Sequence, residues 1–189
     1  MIYRIYPNIK NFLMLHLDGD KAREALGEDT DFYMDERPIS YLPNWNIMEV
    51  AFLDAFGGGN KEIPDISANV GRLFLSEKAY KLLDDQLDGY GEMLPVIYES
   101  GTGYIFNCLK VIDANEQQSM HDPLSDKFSV VFDENLDELN VFKSGIDFDA
   151  HFCNESFKRI VEENNLTGIS FSVDIGNPFP EELGMRNTH

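Results

Sequence analysis

His151 and Cys153 are the residues whose types and spacing come nearest to nucleophilic chemistry. They lie two apart in AHFCN, so in a strand they share one face. A thiol beside an imidazole is the least that a cysteine nucleophile with its base requires. The other cysteine, Cys108, sits in IFNCL. Two cysteines are too few for a disulfide framework, and their apolar neighbours read as free core thiols. His16, His121 and His189 form no HExxH or other paired metal spacing. No metal and no organic cofactor is expected.

Carboxylates are the other abundant reactive group. The chain has 34 acidic and 15 basic residues, a net charge of −19. Acidic pairs raise glycosidase and calcium readings. A glycosidase needs two carboxylates across a sugar cleft, which sequence cannot display. A calcium loop needs a glycine that DENLDE (133–138) lacks. No GxSxG elbow is present. GGGNKE (57–62) matches neither phosphate-loop fingerprint and reads as a mobile turn. Asp133, Glu134, Asp137, Glu138, Asp147 and Asp149 crowd a short span and either form a negative patch for a partner or belong to a generally acidic, solubilising surface. Tyr41 and Trp45, in the loop 28–45, are candidate aromatic anchors for a partner, or else pack that loop onto the core.

The charge also excludes classes of partner. An acidic surface is repelled by nucleic-acid phosphates and by anionic membranes. It suits a basic protein partner, whose approach it would steer. No apolar run is long enough to span a bilayer. MIYRIYPNIK has no apolar signal-peptide core, so a cytoplasmic protein is expected.

The elements that must position these residues are legible in part. IYRIY (2–6) alternates as a strand, and FLMLHL (12–17) is a short apolar run that could be strand or helix. Asp20 is placed to cap a helix over KAREAL closed by Gly27, and 28–45 reads as an irregular surface loop. Ser76 caps a helix to Leu87 whose Ala79, Tyr80, Leu82, Leu83 and Leu87 recur at helical spacing and form one buried stripe. MLPVIYES and YIFNCLKVID form a hairpin turned by Gly101-Thr102-Gly103. Both faces of 104–109 are largely apolar, so that strand belongs at the centre of a sheet covered on both sides. FSVVF, LNVFK and FDAHF are further strands, and Asn154 caps a second helix with Phe157, Ile160 and Val161 inward. Asn164 or Asn165 ends it in the left-handed conformation, and Gly168 precedes a last strand, ISFSV. No internal repeat is visible. The expected fold is α+β, a mainly antiparallel sheet with two principal packing helices.

The order Pro64-Asp65, LFLSEKAYKLL (73–83), GEMLPV (91–96) and YIFNCLKVIDA (104–114) resembles an immunity-protein domain family of bacterial polymorphic toxin systems. VVFDENLDELNVFK (130–143) and ESFKRIVEENNLTGISF (155–171) continue the resemblance, while the loop NEQQSMHDPLSD departs from it. The resemblance divides the chain into an N-terminal region 1–63 within the same domain, a family core 64–174 and a loosely held tail 175–189. It implies a non-catalytic protein that binds and neutralises a cognate toxin domain. The alternatives from the residues alone are a hydrolase with an acid-based or Cys/His site assembled from distant residues, or a regulatory adaptor.

Overall fold

The computed structural model describes residues 1–57, 59–122, 127–133, 135–177, 180 and 183. In chain order the elements are β1 (Ile2–Pro7), β2 (Met14–His16), α1 (Gly19–Leu26), β3 (Met48–Glu49), β4 (Ala51–Leu53), β5 (Ile66–Asn69) and β6 (Arg72–Ser76). Then come α2 (Glu77–Leu87), β7 (Gly91–Tyr98), β8 (Gly101–Cys108), β9 (Val111–Ile112), β10 (Met120–Asp122) and β11 (Lys127–Ser129). The last are β12 (Val141–Ser144), β13 (Asp147–Asn154), α3 (Glu155–Glu163) and β14 (Ile169–Ser172). The fold is α+β, with strand pairing that is mainly antiparallel.

Two five-stranded sheets carry the architecture, ordered β14-β1-β13-β12-β9 and β3-β7-β8-β6-β5. Their shared connectivity is the repeat that the sequence conceals. In the second sheet, hairpin β5-β6 leads into α2, and β7 returns with β8 lying between it and β6. In the first, hairpin β12-β13 leads into α3, and β14 returns with β1 lying between it and β13. The strand in the middle comes next in the chain in one case and from the other end of the chain in the other.

Both helices start where an oxygen side chain takes up an orphan amide. Ser76 Oγ accepts from Ala79 N at 3.2 Å, and Asn154 Oδ1 accepts from Phe157 N at 2.9 Å. Glu77 and Glu155 follow, where negative charge suits the positive end of the helix dipole. Asn165 ends the second helix with φ 50°. Ala79, Leu83 and Leu87 from α2 and Phe157 and Val161 from α3 are buried in one core cluster with residues of both sheets, and Tyr80 and Ile160 pack against it partly buried, whereas Leu82, expected in the same stripe, is exposed. Central β8 sends Phe106 and Cys108 into that core and Ile105 into a second cluster on the opposite face, as its two apolar faces require. A third cluster, including Phe142, Ala150 and Phe152, covers the outer face of the first sheet.

Local expectations are corrected at several points. Asp18, not Asp20, caps α1, accepting from Asp20 N at 2.9 Å and Lys21 N at 3.0 Å. Tyr98 pairs with Gly101, so the hairpin turns at Glu99–Ser100, and the three residues 101–103 are strand. Gly103 serves a different purpose there: a Cβ on it would lie 2.6 Å from Phe74 Cε2. The segment 28–45 is not a surface loop throughout, because Phe32 is fully buried beneath it. In the span 175–189, Asn177 is buried and its carbonyl accepts from Tyr6 Oη. That span is therefore anchored at its start; much of the remainder lies outside the described residues. No helix among the described residues is long and apolar enough to cross a membrane.

Candidate partner-binding surface

The six acids crowded in sequence flank the β12-β13 hairpin at both ends. Asp133 Oδ1 accepts from Asn115 Nδ2 at 2.8 Å, and the Asp137 carboxylate pairs with the amino group of Met1. The Glu138 carbonyl accepts from Tyr90 Oη at 3.2 Å. Glu134 lies outside the described residues. Asn154, at the end of β13, donates to the Asp137 carbonyl at 2.9 Å, which fixes this group beside that end of the strand. Asp147 and Asp149 stand at the other end. Asp147 pairs with Arg4 at 3.1 Å, and Asp149 Oδ1 accepts from Gly71 N at 2.8 Å. Along β13, Asp147 is roughly 23 Å and Asp149 roughly 17 Å from Asn154 at ~3.3 Å per residue. Closeness in sequence comes from the hairpin, and the hairpin is what holds them apart.

Asp147 and Asp149 instead face the 28–45 segment. The Glu36 carboxyl is raised, first by burial and then by the charges of Asp149 and Asp147. Lys143 joins the two regions, donating from Nζ to the Glu36 carbonyl at 2.8 Å. Burial pushes its ammonium down to about 8. Arg72, nearly fully buried, lies 4.1 Å above the Phe32 ring and donates to the Val70 carbonyl at 2.9 Å. Its Nε and Nη2 have no hydrogen-bond partner among the described residues.

Tyr41 and Trp45 pack inward, as walls around Phe32. Their rings meet Phe32 edge-on at 4.8 Å and 5.0 Å. Trp45 Nε1 donates to the Pro95 carbonyl at 2.9 Å. A buried carboxylate clamps the same segment to the sheet. Glu92 Oε1 accepts from Tyr41 N at 2.7 Å and Asn107 Nδ2 at 2.9 Å, while Oε2 accepts from Ser40 Oγ at 2.7 Å. The sequence reading chose the aromatic residues and missed their neighbours: Leu42 and Ile47 stay 54% and 60% exposed. The signal was available only as two large apolar residues in a proline-bounded loop, which no periodicity distinguishes from buried ones.

Two shallow depressions lie on this side. One, of about 300 Å³, is lined by residues that include Leu26, Glu28, Asp29, Ser40 and Tyr41. The other, of about 340 Å³, is lined by residues that include Lys21, Glu24, Ile47 and Glu49. Across the second depression Asn46 Nδ2 donates to the Ala25 carbonyl at 2.8 Å.

The groups with nucleophilic or basic chemistry lie in the core instead. His151 and Cys153 are both buried on β13. Burial, then Lys143, Arg72 and Arg4, depresses the imidazole well below its ordinary range. Burial pushes the Cys153 thiol well above its own, and the Cys108 thiol up to about 11. Thiols so raised are protonated at neutral pH, and a thiol in that state is a poor nucleophile. Among the described residues no three His, Cys, Asp or Glu side chains are grouped to hold a metal ion. No family model matches this chain, and no curated protein matches it.

Proposed function

We propose that this chain is a non-catalytic immunity-type protein that acts in the cytoplasm by binding a basic toxin domain and occluding it. The observation that carries the reading is the state of its carboxylates. The net charge is −19, and Glu24, Glu28 and Asp29 face solvent with no ion pair among the described residues. Such a surface accelerates encounter with a cationic partner. The resemblance of 64–174 to immunity domains agrees with it. The buried thiols and imidazole give a hydrolase reading no comparable support.

The test is co-expression with the toxic domain encoded by the neighbouring gene. A complex that survives purification and restored growth are the expected results. A toxin that still kills and does not co-purify contradicts the reading.

A further inference from the structure

We propose that the partner docks on the face formed by the C-terminal end of α1, the 3₁₀ turn Leu42–Asn44 and β3, and that the docked element is a basic protein segment carrying Lys or Arg beside an apolar side chain. This rests on the binding reading above and names its surface and the chemistry of its occupant.

Three features of the face converge. The first is apolar exposure. Single exposed apolar residues are ordinary on any surface, but here Met34, Ile39, Leu42 and Ile47 are between 41% and 60% exposed within one short segment. Ile47 lines the second depression, and Leu42 lies in the chain between Tyr41 and Asn44, which line the first; each depression has room for a side chain.

The second is charge. Residues 19–49 carry eight carboxylates against three basic side chains. All three cations are paired within the face or near it: Lys21 with Glu49 at 3.3 Å, Arg23 with Asp20 at 3.2 Å and Arg37 with Asp35 at 2.7 Å. Among the described residues five carboxylates have no ion pair, Glu24, Glu28, Asp29, Asp31 and Glu36, and the first three of them line the depressions. The first depression also opens at the C-terminal end of α1, the negative end of the helix dipole. A cation is favoured there and an anion is repelled. A second copy of this chain would bring the same unpaired acids to the contact, so self-association is disfavoured by the same charges.

The third is rigidity. Phe32, Tyr41 and Trp45 fill the floor, and Glu92 holds Ser40 and Tyr41 from below. A surface already fixed in shape loses little ordering entropy when a partner arrives. The acids Asp133, Asp137 and Glu138 have no such apolar centre: Leu136 beside them is buried.

The probe is a synthetic amphipathic peptide of alternating leucine and lysine, with a leucine–glutamate peptide of the same length as its control. Each is titrated into the full, ¹⁵N-labelled chain while backbone amide shifts are followed. The lysine peptide should move amides in 24–30 and 40–49, and the glutamate peptide should move none. Glu28→Gln with Asp29→Asn, and separately Leu42→Asp, should each weaken the lysine peptide about tenfold. Both changes are at exposed positions, and unchanged distant amides verify the fold. Should Leu42→Asp unfold the chain, the Glu28/Asp29 variant decides alone. Shifts centred on 133–138, or equal responses to the two peptides, overturn the proposal. The cognate toxin domain separates the two readings. If it binds the chain but leaves 24–49 unmoved, the surface is wrong and the immunity reading stands. If the lysine peptide binds at 24–49 and the toxin domain does not bind the chain, the surface stands and the immunity reading falls.

Discussion

The segments 28–49 and 133–149 are both rich in carboxylates, yet the fold uses them in opposite ways. The first is laid across a sheet on a buried aromatic ring, and Glu28, Asp29, Leu42 and Ile47 stay exposed along it. The second is drawn out along a hairpin. Asp133, Asp137 and Glu138 end up near Met1, Asn115 and Asn154, while Asp147 and Asp149 end up beside Arg4, Gly71 and Glu36. Carboxylates close in sequence become a surface only where the backbone between them is compact. Asp147 and Asp149 belong, electrostatically, with the first segment rather than with the second.

The strongest way to break this contrast is to remove what supports the first segment. Phe32→Ala should destabilise the protein by about 3–5 kcal/mol, because it empties a fully buried site enclosed by Tyr41, Trp45 and Arg72. Denaturant unfolding measures it, and limited proteolysis should show cleavage moving into 33–47. A loss well under ~1 kcal/mol would mean that the segment does not depend on that ring.

The junction at Lys143 gives a pH test. Its folded-state value near 8 lies below the ordinary 10.5, so between these the unfolded chain holds the extra proton and stability rises with pH. The penalty for the buried ammonium is complete below about 8 and relieved toward 10.5. Relative to Lys143→Met, the native protein should gain up to about 3 kcal/mol across that window. Parallel stability–pH profiles for the two proteins would contradict the buried-charge account.

Glu92→Ala should cost about 2 kcal/mol, since it leaves the amide of Tyr41 without its acceptor and the buried Asn107 Nδ2 with only the Ile39 carbonyl. Amide exchange at 39–45 should quicken in that variant before exchange elsewhere does; uniform quickening would count against a local clamp. Asp133→Asn, Asp137→Asn and Glu138→Gln together should change stability by no more than about 0.5 kcal/mol, measured by the same unfolding assay. A larger loss would show that this end of the hairpin is held by charge.

Much of the sheet-and-helix framework was readable because its signals are local. The caps Ser76 and Asn154, the stripe of α2 and the two apolar faces of β8 each lie within a dozen residues. The repeated connectivity was not, because β1 pairs with β13 and β14 from the opposite end of the chain. Phe32 was missed because 28–45 has loop composition, and its aromatic residues follow no period that would mark a buried face. Gly103 read as a turn residue for a similar reason: sequence displays flexibility, while the structure uses the absent side chain to admit the ring of Phe74. At the candidate site the proposed class of partner, a basic protein, rests on net charge, which the sequence displays directly. The location was not legible, because spacing along a hairpin was mistaken for proximity in space.

Stopped-flow association with the cognate toxin domain, run across ionic strength, tests the central claim most directly. Two variants are compared with the native chain: Glu24→Gln/Glu28→Gln/Asp29→Asn, and Asp133→Asn/Asp137→Asn/Glu138→Gln. The account predicts an association rate that falls with salt, falls about tenfold in the first variant and changes less than about twofold in the second. A rate that ignores salt and the first variant, or that responds to the second instead, would contradict it.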